Sequence, residues 1–281
     1  MKRIGVIGTG IMGSGIVANY LKKGYQVFIW NRTKKNATKL VKQGAVFEKT
    51  PREVAKKSDV VFEVTGNDES SRAVWLGESG ILAGAQANAV LITCATLSVK
   101  WVDELAMCCA KKRYTFFDMP MTGSRVGAES GKLTFLVGGD EEKLKGLKTD
   151  LMAVSERQIR FGEAGSGTRY KLLLNMLAAI HIVGLGEALK IAEKSGMDIK
   201  KVGDALAEKP GGITTNLAWR DYQKAPNPIN FSVEWITKDL TYAKKFGQGI
   251  SLPLLDDVLV EYKMAIKKGL TAEDWTVVNR D

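Results

Sequence analysis

The stretch 4-IGVIGTGIMGSGI-16 decides how the first half of this chain folds. A short apolar run ends at Ile7 and passes directly into Gly8-Thr9-Gly10-Ile11-Met12-Gly13. In the spacing Gly-x-Gly-x-x-Gly, the first glycine permits a tight turn between strand and helix. The second lets the backbone approach a pyrophosphate, and the third lets helix and strand pack closely. Free N–H groups at the helix start then face the phosphates, assisted by the helix dipole. The setting between strand and helix predicts a dinucleotide-binding turn at Gly8, Thr9, Gly10, Ile11, Met12 and Gly13. The bland alternative is a glycine turn with no ligand.

Downstream, β-branched runs at residues 3–7, 26–30, 60–64, 90–93, 115–118 and 134–137 read as strands. Amphipathic segments at 13–23, 34–43 and 99–112 lie between them. This alternation implies a parallel sheet covered on both faces. Near residue 162 the pattern changes. Helical periodicity runs from 166 to about 195, longer than most globular helices. It resumes over 198–208, 231–246 and 252–268, with a Pro-Gly-Gly break at residues 210–212. Ser251 with Pro253 reads as a cap and first-turn proline, and Gly269 as a stop. The expected fold is α/β: an N-terminal Rossmann-type domain over 1–162, then an all-α domain over 163–281. The long helix begins at their junction.

The totals narrow the function. Of 281 residues, 45% are hydrophobic and 26% charged, a composition able to bury a core. The net charge is +10, but the basic residues are scattered, as at Lys22-Lys23, Lys111 to Arg113 and Lys244-Lys245. They suit solvated faces and attraction of anionic small molecules, not a nucleic-acid footprint. Cys94, Cys108 and Cys109 form no disulfide framework, and one histidine makes a zinc site unexpected. The glycine turn interrupts any secretory leader, so a cytoplasmic protein is expected. The most apolar window, residues 172–189, contains Asn175, His181 and Glu187 and reads as a buried helix, not a membrane span.

About 20 residues past the glycine turn, an acid would bind the ribose 2′-hydroxyl of NAD. Here Asn31 holds that place, followed by Arg32 and Thr33, with Lys34 and Lys35 beyond. Asparagine does not repel a 2′-phosphate, and a guanidinium can bind one in a bidentate manner. NADP(H) is therefore favoured. NAD(H) stays open if Arg32 merely stacks on adenine. Thr65, Thr93 and Thr96 lie at strand ends, where parallel sheets line the cofactor crevice. Capping roles are the alternative for each.

The helix 165-GSGTRYKLLLNMLAA-179 carries a lysine at its head. Helical spacing puts Gly167, Lys171, Asn175 and Ala178 in one stripe, flanked by Leu172, Leu173, Leu174, Met176 and Leu177. Small residues leave space beside the ammonium and the amide. If a nicotinamide gives hydride to a carbonyl, Lys171 can hold the oxygen and donate the proton. In the oxidative direction it must be neutral, which burial favours. Asn175 can orient the lysine or the substrate. His181 is the rival by residue type but lies nearly three turns away and about 80° off the stripe. The bland alternative for Lys171 is a snorkelling lysine at a helix start.

By these residues the chain resembles the β-hydroxyacid dehydrogenase family. That family includes 3-hydroxyisobutyrate dehydrogenases, tartronate semialdehyde reductases and glyoxylate/succinic semialdehyde reductases. Four ordered motifs carry the resemblance: the opening glycine turn, 118-DMPMTGSRVGAESGKLTFLVGG-139, Gly167 to Lys171 to Asn175, and 236-ITKDLTYA-243. The resemblance implies that Lys171 is the acid/base. Thr122, Gly123 and Ser124 would hold the substrate carboxylate, and Lys238 would reach the cofactor–substrate region. Thr122 replaces the family's usual serine, and Ser124-Arg125 replaces its second glycine and follower. Arg125 suits a distal substrate carboxylate or a surface loop, the latter slightly favoured. Met119 and Met121 would make the substrate wall apolar. Lys238 also has Glu234 four residues before it, an ordinary helix pair. Phe231, Trp235 and Trp219 could shield a pocket but suit a core better.

Imine reductases share the architecture but usually lack the lysine, which argues against that reading. The family's 6-phosphogluconate relatives have much longer chains. The expectation is an NADP(H)-dependent reductase/dehydrogenase of a small carboxylate-bearing aldehyde or hydroxyacid, 3-hydroxyisobutyrate being the particular alternative. By resemblance it forms a homodimer or homotetramer, with the site between its domains. A non-catalytic NADP-binding sensor is the alternative from another class.

Overall fold

A computed structural model of the chain describes residues 1–208, 212–249 and 251–280. The chain divides into two compact units, Met1–Lys171 and Leu172–Asp281. The first holds one nine-stranded sheet: β1 (Ile4–Ile7), β2 (Val27–Trp30), β3 (Val46–Phe47), β4 (Val60–Glu63), β5 (Val90–Thr93), β6 (Thr115–Asp118), β7 (Met121–Thr122), β8 (Leu133–Gly138) and β9 (Ser155–Gly162). The order is β3-β2-β1-β4-β5-β6-β8-β7, with β9 paired to β8. β1 to β6 pair in parallel, β8 runs antiparallel to β6 and β7, and β9 runs parallel to β8. Strand order reverses between β1 and β4, the switch point at which open α/β sheets bind ligands.

The helices of this unit are α1 (Ile11–Lys22), α2 (Thr38–Lys42), α3 (Pro51–Lys57), α4 (Asp68–Trp75), α5 (Ile81–Gly84), α6 (Val99–Lys111), α7 (Ser124–Ser130), α8 (Glu141–Lys145) and α9 (Lys148–Leu151). Alternate strand residues face opposite layers. Ile4, Val6, Phe62, Ile92 and Phe117 pack with Ile16, Val17 and Tyr20 of α1. Ile7, Val61, Leu91 and Phe116 pack on the other face with Trp75 of α4 and Trp101 of α6. Both faces are covered, so the parallel strands are apolar on both sides.

Then come α10 (Ser166–Lys194), α11 (Ile199–Glu208), α12 (Gly212–Gln223), α13 (Val233–Phe246) and α14 (Pro253–Lys267). α10 is long and apolar enough to cross a membrane by length and composition alone, with 39% of its most apolar window buried. In the second unit, Ile182, Leu185 and Leu189 pack with Ala207, Ala218 and Trp219.

Several expectations are corrected. The polar run at 155–162 had no strand pattern, yet β9 pairs along β8. Residues 34–43 form a 3-10 turn followed by the short α2, not one helix. Gly212 opens α12, which the threonines at 214 and 215 concealed. The other residues of the expected break, Pro210 and Gly211, lie outside those described. α12 is held by Trp219, whose ring would lie 2.3 Å from a Cβ on Gly203 of α11. Leu252, not Ser251, occupies the N-cap of α14. Gly269 follows α14 at φ +85°, which suits a helix stop.

Candidate active site

The glycines of the first turn differ in what they solve. Gly8 stands at φ +99°, and a Cβ there would lie 2.3 Å from the Val64 carbonyl oxygen. A Cβ on Gly13 would lie 2.0 Å from the Gly8 carbonyl oxygen. At Gly10 a Cβ would meet nothing within 4 Å, so that glycine leaves space open. Gly10 is also the N-cap of α1, and no side chain caps the helix. Thr9 is buried, Met12 partly buried and Ile11 exposed. An uncapped helix start beneath open space fits a diphosphate.

Asn31 follows β2 and joins two loops. Its Oδ1 accepts the Thr9 N–H at 2.9 Å, and its Nδ2 donates to the Thr33 carbonyl at 2.9 Å. Its amide therefore shapes the turn. Arg32 and Thr33 are exposed beside it, and the Lys34 ammonium sits 5.4 Å from the Phe47 ring centre.

The end of β4 holds a carboxylate that motif reading missed. Glu63 is wholly buried and accepts from Thr65, Thr93 and Trp75. Thr93 is also wholly buried and is not open to a crevice. Thr65 and Thr96 are partly buried.

At the end of β6, Asp118 is buried and takes the role of a helix cap from a distance. Its Oδ1 accepts the Gly165 N–H and its Oδ2 the Thr168 N–H, both at 2.6 Å. Burial outweighs these donors and raises its carboxyl to about 7. α10 begins directly on the strands: a Cβ on Gly167 would lie 2.2 Å from the Leu136 carbonyl oxygen. Arg169 adds a bidentate bond to Asp103 of α6, at 3.1 and 2.7 Å. Lys171, partly buried, follows this clamped first turn.

After β7, at the N-cap and first residue of α7, the chain turns through two left-handed residues, Gly123 (φ +117°) and Ser124 (φ +53°). Both are exposed, with Thr122 partly buried beside them. Arg125 is not on a loop: it lies in α7, 3.3 Å from Glu129. Met119 and Met121 are buried in the core cluster that includes residues of α1, instead of forming an exposed apolar wall.

In the second unit, Asn175 is buried and its Nδ2 donates to Asp239 Oδ2 at 2.6 Å. The Lys238 ammonium lies 3.0 Å from Asp239 Oδ1. Asp239 thus links two residues that spacing alone had singled out separately, and its own role went unread. The signal was present as the acid beside Lys238 in the fourth motif. His181 is partly buried with Nδ1 unpartnered. Trp219 lies in the helical core, and Phe231 packs edge-on against Trp275 at 5.5 Å. Among the described residues no group of histidine, cysteine and acids is arranged to hold a metal.

Comparison with known proteins agrees with this fold. The family model described as the NAD binding domain of 6-phosphogluconate dehydrogenase matches residues 3–162. A second, described as NAD-binding of NADP-dependent 3-hydroxyisobutyrate dehydrogenase, matches residues 165–280. A probable mitochondrial 3-hydroxyisobutyrate dehydrogenase of Dictyostelium discoideum is 30% identical, over 99% of this chain and 89% of its own. The cytokine-like nuclear factor N-PAC of Xenopus tropicalis is 28% identical over 90% of this chain, which spans 47% of that protein. The structure of a Mycobacterium tuberculosis 3-hydroxyisobutyrate dehydrogenase with L-serine superposes with a TM-score of 0.88, at 25% identity, covering 100% of this chain and 98% of its own. Fold and glycine turn together define a nicotinamide-dinucleotide oxidoreductase. The chain belongs to the β-hydroxyacid dehydrogenase family.

Proposed function

We propose that this protein is an NADP(H)-dependent reductase/dehydrogenase that interconverts a small aldehyde acid and its hydroxyacid, with Lys171 as acid/base. The observation that carries the reading is the anchoring of α10. Its first turn is bonded to Asp118 and packed on Leu136, so Lys171 is held in register with the strand ends of the dinucleotide sheet. When bound, the nicotinamide supplies the hydride or takes it. Lys171 Nζ gives the proton to the carbonyl oxygen in reduction and takes it back in oxidation. The turn at Thr122, Gly123 and Ser124 holds the carboxylate. Asn175, its Nδ2 engaged by Asp239, presents its carbonyl oxygen as an acceptor.

Arg32 and Thr33, exposed after β2, and Asn31, which lacks the charge that would repel a phosphate, support preference for the 2′-phosphorylated cofactor. 3-Hydroxyisobutyrate is the particular substrate suggested by the named relatives. A cytoplasmic homodimer or homotetramer completes the proposal. A second reading, a dinucleotide-binding protein without turnover, is kept because one relative is named as a nuclear factor and not as a dehydrogenase.

The deciding experiment follows NADPH absorbance with glyoxylate, succinic semialdehyde and methylmalonate semialdehyde, for wild type and Lys171→Ala. Turnover that falls roughly 100-fold or more in the variant is expected for loss of a general acid. Near-normal activity of Lys171→Ala would refute the acid/base role. Cofactor binding without turnover of any aldehyde would favour the second reading.

A further inference from the structure

Glu63 has no part in the proton chemistry above, yet it is wholly buried beside the switch point. Each of its oxygens meets one fixed N–H. The Thr65 backbone N–H donates to Oε1 at 3.0 Å, and Trp75 Nε1–H donates to Oε2 at 3.3 Å. Two hydroxyls complete the set: Thr65 Oγ1 on Oε1, and Thr93 Oγ1 on Oε2 at 2.5 Å. Burial pushes the Glu63 carboxyl up, and all four contacts act against that by favouring the ionised form. A carboxylate accepts only, so both hydroxyls must donate to it.

Thr65 is the member of this group that reaches the surface, and it adjoins the glycine turn. A Cβ on Gly8 would lie 2.3 Å from the Val64 carbonyl oxygen and 3.6 Å from the Thr65 nitrogen. Both protons of Thr65, on nitrogen and on oxygen, are directed inward. With its proton engaged, the Thr65 hydroxyl oxygen has only lone pairs to offer a further partner. β4 flanks β1 on the side opposite β2. With the adenosine end read at Asn31 and Arg32 after β2, the β4 side falls to the nicotinamide half.

We propose that Glu63 is a positioning residue that makes Thr65 an acceptor-only contact, selecting a hydrogen-bond donor on the nicotinamide half of the cofactor. The donor is the carboxamide amine or a hydroxyl of the nicotinamide ribose. A phosphate oxygen is disfavoured at that position. The proposal rests on the dinucleotide reading of the crevice.

The test compares dissociation constants by titration calorimetry for NADP+, its acetylpyridine analogue, which has a methyl in place of the amine, and an analogue lacking the nicotinamide-ribose hydroxyls. Wild type should bind NADP+ tighter than one of the analogues by roughly three- to tenfold, one hydrogen bond's worth. Thr65→Val should bring that ratio close to one, and Thr65→Ser should retain it. Glu63→Gln, which replaces one of the two accepting oxygens with an amide donor, should compress it with Thr65 still in place. Wild-type affinities equal for all three ligands, or a full ratio retained in Thr65→Val, would overturn the proposal. If Glu63→Gln does not fold, the two Thr65 variants still decide. Failure of the wild type to bind any dinucleotide would instead overturn the crevice reading, and this inference with it.

Discussion

Replacing Gly167 with alanine tests how α10 is seated. The added Cβ would lie 2.2 Å from the Leu136 carbonyl oxygen, 2.8 Å from the Asp118 carbonyl oxygen and 3.0 Å from the Gly138 nitrogen. All three are backbone atoms and none can swing away. To reach ordinary contact, the helix start must withdraw by about 1.2 Å. That movement stretches both 2.6 Å bonds to Asp118. Overpacking of this kind costs about 1–3 kcal/mol, and loss of the capping bonds adds about 1 kcal/mol. Lys171, one turn on, moves with the helix. A misplacement of about 1 Å can lower turnover about 100-fold. Gly184→Ala on the same helix is the control. Nothing lies within 4 Å of its Cβ, so it should be neutral or stabilising by about 0.5–1 kcal/mol. Thermal melts by circular dichroism and kcat/KM on the best aldehyde acid give the two readouts. If Gly167→Ala keeps kcat/KM within about twofold and melts like Gly184→Ala, the seating argument is wrong.

Two further perturbations follow from the same structure. Asp118, raised to about 7, binds its proton more tightly folded than unfolded, where its carboxyl has an ordinary value. Its contribution to stability is therefore complete below about pH 4 and is lost as pH rises towards about 7, amounting to about 4 kcal/mol at most. Asp118→Asn cannot titrate, so denaturant midpoints measured from about pH 5 to pH 8 should fall less steeply than in wild type; parallel curves would refute the assignment. Arg32→Ala should reduce the ratio of kcat/KM for NADPH over NADH by roughly tenfold or more, the value of a charge-assisted phosphate contact. An unchanged ratio would refute the role of Arg32.

Much of the fold was legible because its signals are local. Strand periodicity of two, helix periodicity of 3.6 and glycine spacing act within a few residues of chain. That is why residues 90–93 and 115–118 read as strands with the bounds observed. β9 was illegible because its strand state comes from pairing with β8, and its own residues, Ser155 to Gly162, are mostly polar. The two methionines misled for a related reason. Met119 and Met121 stand in a motif that marks a site, but packing buries both in the core.

By itself, the order of residues determined the dinucleotide turn, the α/β half followed by helices, and the candidate status of Lys171, Asn175 and Lys238. Tertiary structure alone decided which polar groups are bonded to which. Glu63 meets Thr93, Asp118 meets Gly165, and Asn175 meets Asp239 across 30, 47 and 64 positions of chain. No periodicity encodes such pairs. They form because a polar group taken from water into the interior must find a partner there, and which partner it finds depends on how the whole chain packs.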